Sequence, residues 1–98
     1  MGASFRVRVP TALADALAAF HPDLKRKIRA GMDAIGDDPA VGKPLREELE
    51  GLRSLRVGRF RIVYRVGRQV VEVVAVGERT TIYQETLRLV RQGRGEPS

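Results

Sequence analysis

The amino-acid sequence predicts a small α+β domain: an antiparallel sheet of about four strands with a helical hairpin packed on one face. Three observations carry that expectation. The chain has 98 residues, which suffices for one modest core. Apolar residues recur at helical spacing near both ends, and they alternate with polar ones through the middle. One domain is therefore expected over residues 1–92, followed by a frayed tail at 93–98.

The elements follow in order. Ser4-Phe5-Arg6-Val7-Arg8-Val9 alternates with period two and stops at Pro10, as a half-buried strand does. Thr11 can cap a helix over 11–20, in which Leu13, Ala14, Leu17, Ala18 and Phe20 form the apolar side. His21-Pro22 breaks it, because proline lacks an amide donor and disfavours helical geometry in the preceding residue. Pro22 suits the first turn of a second helix, and His21 suits its cap. Leu24, Ile28, Met32 and Ile35 carry that helix to about Gly36, where Asp37-Asp38-Pro39 ends it. The two helices should form an antiparallel hairpin.

Residues 37–44 are rich in turn formers and read as a connection. Residues 45–52 can hold one or two helical turns pinned by Leu45, Leu49 and Leu52. Period two then takes over. Leu55 and Val57 alternate with Arg56, Gly58-Arg59 makes a hairpin turn, and Phe60, Ile62, Tyr64 and Val66 alternate with Arg61, Val63 and Arg65. After a turn at 67–69, Val70 to Val76 is the most apolar strand and belongs in the interior of the sheet. A last helix is expected over about 84–92, completing the order β-α-α-β-β-β-α.

Composition narrows the function. With no cysteine and one histidine, disulfides, thiolate zinc sites, thiol nucleophiles and histidine metal clusters are excluded. No metal and no cofactor is expected, since glycine-rich phosphate loops are also absent and Gly58, Gly67 and Gly77 sit at strand ends. No apolar run reaches about 18 residues and no signal-peptide pattern occurs, so no membrane association and a cytoplasmic location are expected. The net charge of +6 suits a polyanionic partner, and 15 of the 18 cations are arginine. Six of them, Arg53, Arg56, Arg59, Arg61, Arg65 and Arg68, fall in a stretch from Gly51 to Gln69 without any Asp or Glu. Arginine presents a planar fork to phosphate oxygens and stacks on bases, which suits nucleic acid. If the hairpin covers one sheet face, the arginines turn to the other and make it a basic concave surface. There Arg56 and Arg61 could lie close, joined by Arg79 and Tyr83 from beyond the last strand.

The run Gly51-Leu52-Arg53-Ser54-Leu55-Arg56-Val57-Gly58-Arg59-Phe60-Arg61-Ile62-Val63-Tyr64, with Gly77-Glu78-Arg79-Thr80-Thr81-Ile82-Tyr83, resembles the RelE/ParE superfamily of toxins from toxin–antitoxin systems. The RelE branch of that family implies an endoribonuclease, an mRNA interferase that inhibits translation by cleaving messenger RNA on the ribosome. There the RNA's own 2′-hydroxyl attacks the adjacent phosphate. The resemblance makes Arg61, Arg79 and Tyr83 the catalytic candidates: Arg61 for the transition state, Arg79 for phosphate, Tyr83 for stacking or orientation. Arg53, Arg56 and Arg65 are candidates for RNA binding. Implied partners are a cognate antitoxin, which in this family wraps helices and sheet edge, and the ribosome with its mRNA. Two departures stand out: Leu52 and Ser54 occupy strand positions where RelE has lysines, and Glu78 precedes Arg79 where relatives have His or Arg. Glu78 could serve as a base if buried. The ParE branch, whose toxins act on DNA gyrase, and a catalytically weak antitoxin-binding module are the alternatives. The run Lys25, Arg26, Lys27, Arg29 and the acidic Glu47, Glu48, Glu50 fit solvated helical surfaces equally well.

Overall fold

A computed structural model describes residues 4–95. Its elements are β1 (Arg6–Arg8), α1 (Thr11–Ala18), α2 (Pro22–Asp37), β2 (Lys43–Pro44), β3 (Leu52–Val57), β4 (Phe60–Val66), β5 (Val70–Glu78) and α3 (Ile82–Gly95), with single 3-10 turns at Pro39–Val41 and Glu47–Leu49. The α+β class, the helical hairpin and the three-strand meander are as the sequence predicts.

The sheet has five strands in the order β1-β5-β4-β3-β2. The pairs β2–β3, β3–β4 and β4–β5 are antiparallel, as expected. β1 instead pairs with β5 in parallel, Val7 opposite Val71, which makes the sheet mixed. No hairpin ties those two strands; α1, α2 and strands β2–β4 lie between them in sequence, and so long a connection leaves a parallel pairing open. The prediction also missed β2, two residues opposite Arg53 and Ser54. β5 lies inside the sheet, as its apolar run requires.

Local signals account for the helices with small revisions. Pro10, not Thr11, occupies the N-cap of α1 and accepts from Ala14 N–H through its carbonyl at 2.9 Å. His21 caps α2 as expected, its Nδ1 accepting from Asp23 N–H at 3.1 Å, and Pro22 opens the helix. In the β3–β4 turn Gly58 has φ 61° at the first central position, where such two-residue turns favour glycine. α3 runs longer than expected and reaches Gly95, so residues 93–95 continue the helix. Residues 96–98 of the expected tail lie outside the described residues.

Two apolar cores sandwich the sheet. On the hairpin side Ile28 and Ile35 meet Ile62, Tyr64, Val71 and Val73, with Leu13, Leu17, Leu24 and Met32 around them. Phe20, at the α1–α2 break, packs on Phe60 with ring centroids 5.6 Å apart. On the other side α3 sets Ile82 and Val90 against Leu52, Val63 and Ala75. That second layer explains why Ile62, Val63 and Tyr64, three residues in a row, are all buried. Arg91 of α3 also meets Glu48 at 3.0 Å. Both partners are more than half exposed at 63% and 53%, so Arg91→Ala is expected to change the urea-unfolding free energy by no more than about 0.5 kcal/mol. A loss above about 1.5 kcal/mol would show that this pair clamps α3.

Candidate functional site

The two-residue β3–β4 turn sets the register that builds the site. It places Val57 opposite Phe60, hence Arg56 opposite Arg61, Ser54 opposite Val63 and Leu52 opposite Arg65. Across the next ladder Arg61 faces Gly77, Val63 faces Ala75 and Arg65 faces Glu72. Side chains alternate along a strand, so Arg56, Arg61 and Arg65 share the face away from the helical hairpin, as predicted.

The expectation of an open basic groove over that whole face is corrected by α3. Leu52, Val63 and Ala75 make the middle of the face apolar, and α3 buries them. The turn end stays open, and there Arg56, Gly58, Arg59, Glu78, Arg79 and Thr80 line a cleft of about 310 Å³. The Arg79 N–H donates to the Arg59 carbonyl at 2.9 Å, fastening the segment after β5 to the hairpin turn.

Arg61 is half-buried beside this cleft. Its guanidinium carbon stands 5.9 Å from the centre of the Tyr83 ring, within cation–π range. Its Nη1 reaches Ser54 Oγ at 3.5 Å, and the Tyr83 hydroxyl donates to the same oxygen at 3.2 Å. Arg61 Nε is buried and meets no acceptor. Arg56 donates to the Gly58 carbonyl at 3.3 Å. Among the described residues no carboxylate lies within 4.0 Å of the cationic nitrogens of Arg56, Arg59, Arg61 or Arg79. Like charges directly opposite on a sheet face repel. Four unneutralised arginines at one end of a small sheet therefore form a strong anion-attracting surface.

The structure brings together Arg56, Arg61, Arg79 and Tyr83 and separates Arg53 and Arg65 from them. Arg53 lies on the hairpin side, where Nε donates to the Gly42 carbonyl at 3.0 Å and Nη2 to the Ala40 carbonyl at 3.2 Å. It holds the 38–42 connection. Arg65 shares the correct face but lies at its far end, opposite the buried Leu52 and 3.6 Å from Glu72. Sequence reasoning left Arg59 and Ser54 outside the site. Glu78 is exposed on the cleft wall and not buried as a base would require. Among the described residues no group of three or more His, Cys, Asp or Glu side chains could hold a metal ion, and no helix is long and apolar enough to cross a membrane.

Comparison with family models matches residues 7–83 to the ParE toxin of type II toxin-antitoxin system, parDE. The chain belongs to that toxin family. The match runs from β1 to Tyr83 and so contains every residue of the cleft. Toxin RelE of Mycobacterium tuberculosis is 44% identical over 46 residues, 45% of this chain and 47% of that protein, so the similarity spans about half of the relative's length. Among solved structures, the toxin–antitoxin complex RelBE2 from Mycobacterium tuberculosis aligns with a TM-score of 0.71 and 29% identity over 81% of this chain and 95% of that one. A free-state variant of the E. coli toxin RelE aligns with a TM-score of 0.71 and 16% identity over 92% of this chain and 97% of that one, a likeness of fold. Membership in the RelE/ParE superfamily and the α+β fold that goes with it agree with the resemblance in the hairpin residues.

Proposed function

We propose that this chain is the toxin of a toxin–antitoxin pair, that it inhibits translation in the cytoplasm by cleaving mRNA on the ribosome, and that a cognate antitoxin restrains it. One observation carries the reading: Arg56, Arg59, Arg61 and Arg79 converge without a carboxylate partner, and Tyr83 stacks on the most buried of them. The antitoxin is supported by RelBE2, a toxin–antitoxin complex with this fold.

In the reaction the substrate's 2′-oxygen bonds to phosphorus as the P–O5′ bond breaks, the 2′-hydroxyl proton leaves and O5′ gains one. Arg61 faces the charge that builds on the phosphoryl oxygens. Its Nη1 contact to Ser54 is long at 3.5 Å, so an incoming oxyanion adds a hydrogen bond that the protein supplies only weakly. Arg56, Arg59 and Arg79 hold neighbouring phosphates, and Tyr83 offers a ring face or a hydroxyl. Arginine stays protonated, so it binds charge and does not shuttle protons.

That last point favours a second reading. The cleft contains neither His nor Lys, and the family model is that of ParE, whose branch acts on DNA gyrase. Primer extension on mRNA from expressing cells separates the two. Codon-phased cuts that vanish with Arg61→Ala support the ribonuclease; uncut mRNA with accumulated gyrase–DNA cleavage complexes supports gyrase. Neither effect, with antitoxin binding intact, leaves a binding module.

Arg59 supplies a further test. If it holds a phosphate, Arg59→Ala should reduce the slope of log affinity against log salt by about 0.7 for a single-stranded, 2′-O-methylated RNA. Arg29→Ala on α2 should leave the slope unchanged. Equal slopes for both variants would remove Arg59 from the path of the RNA.

A further inference from the structure

Ser54 is 2% exposed, and it is one of two buried polar residues among the described residues. The other, Thr86, donates to the Ile82 carbonyl one turn back at 2.7 Å, so its own helix satisfies it. Ser54 has no such local partner. It sits on β3 opposite Val63, and its Oγ accepts from two side chains brought by two other elements: Tyr83 from α3 at 3.2 Å and Arg61 from β4 at 3.5 Å. A buried hydroxyl on a sheet face costs stability unless it is matched, and here its matches are both site residues.

We propose that Ser54 is a positioning residue that holds Arg61 and Tyr83 as one unit. The role rests on the RNA-cleavage reading of this face. Arg61 touches the Tyr83 ring through its guanidinium, a contact with little directionality. The shared oxygen supplies the missing direction, since it fixes both the phenol and the end of the guanidinium from the strand beneath. A side chain without a hydroxyl would leave both donors unmatched, whereas threonine keeps the oxygen. The phosphate contacts of Arg56, Arg59 and Arg79 do not depend on it. Loss of Ser54 therefore disturbs the geometry at the reacting phosphate and leaves substrate binding in place.

The test uses Ser54→Ala and Ser54→Thr in the full chain, with two readouts. The protein has two tyrosines, so 13Cζ-tyrosine NMR gives one resonance each for Tyr64 and Tyr83, assigned with Tyr83→Phe. Ser54→Ala is expected to shift the Tyr83 resonance and spare that of Tyr64, and Ser54→Thr to restore it. On ribosomes programmed with a defined mRNA, Ser54→Ala should lower kcat about tenfold, the equivalent of one hydrogen bond, with KM within about twofold. Thermal unfolding of each variant, run in parallel, confirms that the fold is kept. Cleavage by the wild type together with an unshifted Tyr83 resonance, or a KM effect in place of a kcat effect, overturns the role of Ser54 alone. Failure of the wild type to cut programmed mRNA overturns the RNA reading and this role with it.

Discussion

Arg61→Ala is expected to lower mRNA cleavage about 10²–10³-fold while the protein stays folded, as happens when one preorganised donor to a developing oxyanion is removed. The structure gives reasons for both halves of that result. The arginine is half-buried beside the cleft, leaves its Nε–H without an acceptor and reaches Ser54 only at 3.5 Å, so it contributes little to the fold that alanine would forfeit. Arg56, directly opposite, is relieved of a like charge. Stability should therefore change by less than about 1 kcal/mol, as judged by urea unfolding. Arg61→Lys keeps the charge but presents a single ammonium, which cannot reach both Ser54 and a phosphate oxygen with the fork geometry. It should recover only a small part of the activity. Full activity in either variant, measured as primer-extension stops on programmed ribosomes, would remove Arg61 from the chemistry. Collapse of the fold in Arg61→Ala would show that the cation–π contact to Tyr83 is a structural tie.

Much of this site is legible in the strand pattern, and its failures have a common cause. A glycine-containing two-residue turn after Val57 dictates that Arg56 faces Arg61, so the pairing follows from local chemistry alone. The same parity argues against Arg53: three residues before Arg56 on one strand, it must point to the other face, where the carbonyls of Gly42 and Ala40 receive it. Counting arginines in the stretch hid what counting alternation would have revealed. Ser54 is harder to find. Its register position follows from the turn, but its importance comes from Tyr83, which α3 delivers across the sheet, and no local pattern fixes where a distant helix docks. The parallel β1–β5 pairing and the α3 cover over Val63 and Ala75 are non-local in the same sense. Val63 carried a signal: an apolar residue on the supposedly polar face, between Arg61 and Arg65, implies a second layer.

The second large effect is expected at Gly42, far from the cleft but behind the same strand. Gly42 N–H donates to the Tyr64 hydroxyl at 2.9 Å, and that hydroxyl donates to the Pro39 carbonyl at 2.6 Å. Tyr64 is fully buried, so it spans the hairpin-side core and ties the 38–42 connection to β4. A Cβ on residue 42 would stand 2.5 Å from the Tyr64 oxygen, 2.9 Å from its ring and 3.0 Å from the Ser54 carbonyl. Neither neighbour can yield: the ring is packed and the carbonyl belongs to β3. Gly42→Ala should therefore cost about 3 kcal/mol, from overpacking and from displaced buried hydrogen bonds. In a domain of this size that lowers Tm by more than about 10 °C. Tyr64→Phe removes the hydroxyl without the ring and should cost about 1–2 kcal/mol. Because both changes act on one contact, the double variant is expected to lose less than the sum of the two single losses. Simple additivity would mean that the clash lies with the Ser54 carbonyl instead, and then Gly42→Ala should also displace the strand that carries the site.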